Sequence, residues 1–561
     1  MQLPKNKKAI LIDDYQECEF NNSTTTIFHE LLSNKFGKII SVFDSTNNLL
    51  SSLKSINKDF KFYTIKPFGF KKRNELIERY HILKQNPLTI SEQNFLSEVK
   101  DTFDNVQSVL GDKLMPSYPI YILSIIQALQ YKPLKQNETS FGYCYQTLIH
   151  FSLHKAGVSN DELDSYFNFL SELAFKFTTN EKEYINNIQM SEFYTEYARE
   201  FICKSFDTIL KVLKLSKILQ EDNQGYKFCY NYILYYLSAK KISEILHKNE
   251  GKNIIKKLFD NVEEERNANI LVFITHHSKD ISFIESSLLS TMIVLESTKP
   301  ITLEKNDSFY KDISAFAESI KNDFIELSRT PKGERDNTLI KQDEIKRKSE
   351  NKKIVENNDE DLKKAILPFL QSFRSIEILG QIIKNRKGSL PISQLKDMLT
   401  ELYTTGFRTI GYYSELLEST KKEILEIVKI EEGESKNEIA DRINNFIQML
   451  SFKMCVNVFG KLIHSIGSKE LKKIYIEVAE NLNTPAAKLV TFSINSYHGS
   501  INIKELTTLV NEFKGNIVAL RILKFRVKHY VYNNEVDYQT KQKLASILQM
   551  TLTPNINKEK G

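Results

Sequence analysis

The 561-residue chain has no tryptophan and only 18 glycines and 12 prolines. So little glycine and proline leaves few tight turns, and with Leu and Ile abundant the composition points to a mainly helical protein. The five cysteines (Cys18, Cys144, Cys203, Cys229 and Cys455) include no CxxC pair. That argues against a disulfide framework or a structural zinc, and for a reducing cytoplasm. The first residues, MQLPKNKKAI, lack the apolar core of a signal peptide, and no apolar run approaches a membrane span, so a cytoplasmic protein without a membrane partner is expected. Charge of one sign is also lacking. The 77 Lys+Arg and 71 Asp+Glu leave +6 with the signs interspersed, which disfavours a nucleic-acid partner. Finally, no G-x-x-x-x-G-K-[ST] occurs: the GK pairs at Gly37, Gly251 and Gly460 are followed by Ile, Asn and Leu. The chain has no loop of that kind to cradle phosphates.

What is present begins with KKAILIDDYQE. Four apolar residues, Ala9 to Ile12, run straight into Asp13 and Asp14, the way a buried parallel strand delivers acids to the edge of a nucleotide site. STTTIFHELLSNKF reads as a helix, and Lys38–Phe43 as a second strand ending in Asp44, Ser45 and Thr46. FKFYTIKPF reads as a third extended piece, closed by Pro67. Strands joined by helical crossovers imply a partial parallel α/β sheet.

From FKKRNELIERYHILK onward the pattern turns helical. Pro119 in MPSYPIYILSIIQALQ suits the first turn of a helix. SEFYTEYAREF and FDTILKVLKLSKIL give two more helices. ILQEDNQGYKFCY then reads as a hairpin turning at Asn223-Gln224-Gly225, and YILYYLSAKKISEIL as the helix after it. Helix, helix, hairpin, helix is the order of a winged-helix unit. Residues 330–360 are charged and read as a linker. Beyond it, Ile366, Phe369, Leu370, Phe373, Ile376, Leu379 and Ile383 mark one face of a helix, and Thr484-Pro485 opens another. The expected organisation is a partial α/β domain (1–66), a helical segment (67–135), a winged-helix-like domain (136–247), a helical region (248–329), the linker (330–360) and a solenoid-like α-helical array (361–561).

In this order, the acidic strand Ile10–Asp14, the strand Lys38–Asp44, the lid entered at KPF, the proline motif MPSYP and the stretch YKFCYNYILYYLSAKKI resemble the STAND class of signalling NTPases, relatives of NACHT proteins and AP-ATPases. The resemblance implies ATP or ADP with Mg²⁺ as cofactors of the intact protein. Asp13 would hold the Mg²⁺ and Asp14 would be the catalytic acid. Pro119 would pack on adenine, and Tyr230 would stand where many relatives place a histidine that contacts the diphosphate. Asp44 and Ser45 would replace the sensor arginine of other members. With the phosphate-binding half missing, the chain reads as the carboxy-terminal portion of such a protein, inactive as an ATPase alone. The resemblance further implies a switch that oligomerises when a protein trigger binds, in bacteria often a phage protein in antiviral defence, with residues 361–561 as the sensor.

Two other classes stay open: a nucleotide-independent helical scaffold binding proteins through residues 361–561, and a winged-helix regulator of nucleic acid. His276, His277 and Asp280 in FITHHSKD invite a metal reading, but adjacent histidines on a regular element diverge and no third ligand is spaced for them. The FKKR run (Phe70–Arg73) reads equally well as a solvated helix start or a phosphate contact.

Overall fold

The computed structural model describes residues 4–13, 15, 22–42, 61–84, 92–111, 114–130, 140–320, 323–351, 360–427 and 436–554. Two compact units divide at Pro67: Met1–Pro67 and Phe68–Gly561.

In the first unit β1 (Ala9–Ile12) and β2 (Lys38–Ser41) pair in parallel, Ala9 opposite Lys38 and Ile12 opposite Ser41. Parallel neighbours need a crossover rather than a tight turn, and α1 (Asn22–Lys35) supplies it. Gly37 lets the chain turn against the amino terminus, since a Cβ there would stand 2.7 Å from the Asn6 Cα. The pairing continues past both strands: Val42 N–H donates to Ile12 O (2.8 Å), and Tyr15 N–H donates to Val42 O (3.0 Å). The expected third strand is a correction. Residues 61–69 form no strand, and Tyr63 and Ile65, which would share one face of it, are 85% and 76% exposed.

The second unit is helical, with one apolar core running from Ile77 to Met550. It opens with α2 (Phe70–Lys84), α3 (Glu92–Leu110), α4 (Pro119–Gln130), α5 (Ser140–Lys155) and α6 (Leu163–Thr179). On α6, Leu163, Phe167, Leu170, Ala174 and Phe177 recur every three or four residues and are all buried. Then α7 (Asn187–Glu200) starts at an Asn186–Gln189 capping box, and α8 (Phe206–Leu215) follows. β3 (Leu219–Asp222) and β4 (Gly225–Phe228) form the antiparallel hairpin, with Asp222 Oδ1 accepting from Gln224 N–H (2.8 Å) inside its two-residue turn. Gly225 has φ +125°, and any Cβ there would overlap the Ile185 carbonyl, so the turn requires glycine. Ile185 adds an antiparallel bridge to Tyr226. Next comes α9 (Asn231–Glu244), buried through Tyr232, Ile233, Tyr236 and Leu237, among others.

After α10 (Asn249–Asp260), α11 (Glu265–His277), α12 (Ile281–Ile293), α13 (Ser308–Ser319) and β5 (Phe324–Glu326), the stretch read as a linker is helical over Pro331–Asn351, here α14. It packs on α2, and polar groups hold it there. Asp343 accepts from the Phe70 and Lys71 amides (2.6 and 3.2 Å), which caps the start of α2, and Arg335 Nε donates to Asn74 Oδ1 (2.9 Å).

The remaining helices are α15 (Glu360–Arg386), α16 (Ile392–Ile427), α17 (Lys436–Ile466), α18 (Lys472–Leu482), α19 (Pro485–Tyr497), α20 (Ile503–Glu512), α21 (Ile517–Asn533) and α22 (Tyr538–Ile547). Thr484 caps α19 through the Ala487 amide (3.3 Å). On α15, Ile376, Leu379 and Ile383 are buried against earlier and later helices, whereas Ile366 and Leu370 are exposed. By length and composition Glu438–Ile466 of α17 is apolar enough to cross a membrane, contrary to the reading of the sequence. Here it is a core helix, with Cys455, Val458, Phe459, Leu462 and Ile466 buried. The chain ends by pairing β6 (Thr551–Thr553) in parallel with β5.

Candidate functional site

In the first unit the parallel pair brings Asp13 to its carboxyl edge, where open α/β sheets present ligand-binding groups. Asp13 is exposed, immediately after the last residue of β1. An exposed carboxylate at that edge suits a Mg²⁺ ligand. Behind it Tyr15 is buried, its hydroxyl 3.0 Å from His29 Nε2 on α1. Burial pushes His29 below the ordinary imidazole range, which fits a neutral ring locking strand to crossover. Asp14, Asp44 and Ser45 lie outside the described residues.

In the second unit, two stretches singled out in the sequence meet. Phe68 of KPF exchanges two hydrogen bonds with Ser117 of MPSYP: the Phe68 amide donates to Ser117 O (3.0 Å), and the Ser117 hydroxyl donates to Phe68 O. Ser117 and Met115 are buried, while Pro119 is exposed as the first residue of α4. Two residues along, Tyr121 meets Tyr230, ring centroids 5.9 Å apart and edge to face. Tyr230 precedes α9 as its N-cap residue and stacks on Tyr232 at 6.0 Å. Burial, Tyr232 and a hydrogen bond to Tyr230 together push the Tyr121 hydroxyl well above the usual phenol range, so it is a neutral donor. Tyr230 therefore meets the first turn of the helix that Pro119 opens, more than a hundred residues away in sequence, through Tyr121. The sequence reading missed Tyr121 and Ser117. Both sit within three residues of Pro119, and a proline motif flanked by Tyr and Ser is the signal that could have found them.

Other readings resolve structurally. His276 is buried and His277 partly buried, and both are held neutral, each lowered to about 3, chiefly by desolvation. His276 lies among Phe141, Tyr145 and Phe273, and the His277 ring bonds Tyr236 O at 3.1 Å. Among the described residues no three His, Cys, Asp or Glu side chains are grouped to hold a metal. In FKKR, Arg73 is buried over the Phe70 and Phe103 rings rather than offered to phosphate. A groove of about 490 Å³ between α8 and the hairpin is crossed by the Lys214–Glu221 ion pair (3.0 Å) and contains none of the residues singled out above.

A family profile described as Novel STAND NTPase 4 matches residues 183–238. The matched segment spans the Ile185 bridge, both helices, the hairpin and α9 as far as Ser238, so it includes Tyr230. The match associates the chain with STAND NTPases. No curated protein and no solved structure matches the chain.

Proposed function

We propose that the chain works as the carboxy-terminal portion of a STAND signalling ATPase, a switch that oligomerises when its ligand binds. The observation that carries this reading is the aromatic corner. Phe68 of the KPF entry is bonded to Ser117 of MPSYP, and Tyr121, two residues past that motif, meets Tyr230 inside the matched segment, although all are scattered along the sequence. Pro119 would lie against adenine, with Tyr230 turned toward the diphosphate. Asp13 would hold Mg²⁺, which when bound offsets phosphate charge, and Asp14 would orient the attacking water. Asp44 and Ser45 would read the terminal phosphate. With no G-x-x-x-x-G-K-[ST] among the 561 residues, the phosphate cradle would come from another segment of the working protein.

The winged-helix-like segment couples the nucleotide corner to the helical body, because Tyr232 and Tyr236 of α9 pack on Tyr145 of α5 (6.1 and 6.0 Å). A change at Tyr230 thus reaches buried side chains within one helical turn. The trigger would be a foreign protein, such as a phage protein in antiviral defence, bound by the outer faces of the carboxy-terminal helices. Photolabelling the chain with 8-azido-ADP and Mg²⁺ tests the corner. Label should enter between Pro116 and Tyr121 or at Tyr230, and Pro119→Ala should reduce it. Label confined to other peptides would contradict the assignment.

A further inference from the structure

Helix α14 (Pro331–Asn351) is seated unevenly. Its amino-terminal half is anchored: Leu339 is buried, Arg335 Nε donates to Asn74 Oδ1 (2.9 Å), and the Arg335 guanidinium lies 5.0 Å from the Phe103 ring centroid. Asp104, Glu78 and Asp336 act on the charge of that guanidinium. From Lys341 to Lys348, by contrast, every residue except Asp343 is exposed, Ile345 by 67%. Asp343 is the residue of this half that is drawn into the fold.

Its seat is built for a carboxylate. Oδ1 accepts from the Phe70 amide (2.6 Å) and Oδ2 from the Lys71 amide (3.2 Å), at the start of α2, where unpaired N–H groups favour negative charge. Gly69 makes room, since a Cβ there would overlap the carboxylate. Arg73 is buried one turn into α2. Burial lowers its guanidinium to about 10, and the charge of Asp343 opposes that shift. Two residues before Phe70, Phe68 exchanges its two hydrogen bonds with Ser117. The seat therefore adjoins the junction of KPF with MPSYP.

We propose that the carboxy-terminal half of α14 is a releasable latch, which holds the KPF entry in its present geometry through Asp343. A helical segment with one inward side chain and no buried apolar contact opens at a lower free energy than the core. When Asp343 leaves, the Phe70 and Lys71 amides lose their acceptor, the first turn of α2 frays, and the bonds of Phe68 to Ser117 loosen. Because α15 follows α14 in the chain, a shift of the carboxy-terminal helices reaches the KPF entry through this carboxylate. What the latch controls rests on the nucleotide corner proposed above, but its opening does not, so it is tested without nucleotide.

Hydrogen exchange of the full chain, read by mass spectrometry, is the test. Residues 341–351 should exchange faster than α6 in the unaltered protein. Asp343→Ala should speed exchange by about 10-fold at 341–351 and at 68–73, the worth of one charged hydrogen bond. The Phe68 amide in the second stretch reports the bond to Ser117. Gly69→Ala, which displaces the carboxylate from the α2 side, should give the same pattern at 341–351, more than 270 residues away. Asp343→Asn should fall between, Lys72→Gln should change neither stretch, and α6 should stay as protected as before throughout. Exchange at 341–351 no faster than in α6 would show that α14 opens only with the core. Unchanged protection at 341–351 in both Asp343→Ala and Gly69→Ala would show that Asp343 does not hold it. Faster exchange confined to 68–73 would reduce Asp343 to a helix cap. Each of these three results would overturn the proposal.

Discussion

The buried histidines are the residues whose chemistry most directly sets behaviour in solution. His276 and His277 have folded pKa values near 3, lowered from 6.5 mainly by burial. Below pH 6.5 the unfolded chain therefore takes up protons that the folded chain does not, and stability falls as pH drops toward 3. Each histidine should cost about 2 kcal/mol between pH 6.5 and 5, at about 1.4 kcal/mol per unit. Urea unfolding at pH 7 and 5 checks this. His276→Phe, set among Phe141, Tyr145 and Phe273, should narrow the gap between the two pH values by about that amount, and an unchanged gap would show that His276 titrates freely. Asp343 is a second single-residue test. Asp343→Ala removes the acceptor of the Phe70 and Lys71 amides and should cost about 1 kcal/mol, with Asp343→Asn recovering part of it. A loss indistinguishable from that of an exposed control such as Lys72→Ala would mean the cap contributes nothing.

At the scale of elements, the helix at Pro331–Asn351 redraws how the chain can be cut. Residues 361–561 read from sequence as a separate array beyond a linker, yet α15 buries Ile376, Leu379 and Ile383 and packs on α11 and α12, and β6 pairs with β5. A fragment beginning at residue 361 should bind a dye for exposed apolar surface and unfold without a sharp transition. Cooperative unfolding of that fragment at the temperature of the full chain would contradict the shared core. The contrast shows which signals a sequence carries. The parallel pair, the hairpin turn at Gly225, the helix opening at Pro119 and the Thr484 cap were legible, because each depends on local chemistry a few residues long. The helix at 331–351 was not legible because polar contacts hold it: Arg335 to Asn74, and Asp343 to the amides of a helix more than 270 residues away. Its own pattern has no apolar stripe beyond the buried Leu339. The alternation in FKFYTIKPF misled for the opposite reason, being a strand pattern with exposed side chains. At the candidate site, Pro119 and Tyr230 could be picked out singly. The contact of Tyr121, two residues past Pro119, with Tyr230 depends on how α4 and α9 pack, which no local pattern states.

At the scale of the whole molecule, one polypeptide carries an acidic strand edge, an aromatic corner that includes Tyr230 of a segment matching a STAND NTPase profile, and a helical body sharing one core. That body places every helix from α2 to α22 in the same compact unit. A signal entering at Tyr230, as proposed, would therefore pass through packed side chains. The central proposal is that this chain would supply the acids and the lid of a signalling ATPase without a phosphate cradle. Steady-state hydrolysis of ATP with Mg²⁺ by the purified 561-residue chain tests that most directly. The account predicts no turnover above the buffer blank, unchanged in Asp14→Asn. Turnover that disappears in Asp14→Asn would contradict it, because the chain would then contain a complete catalytic site built some other way.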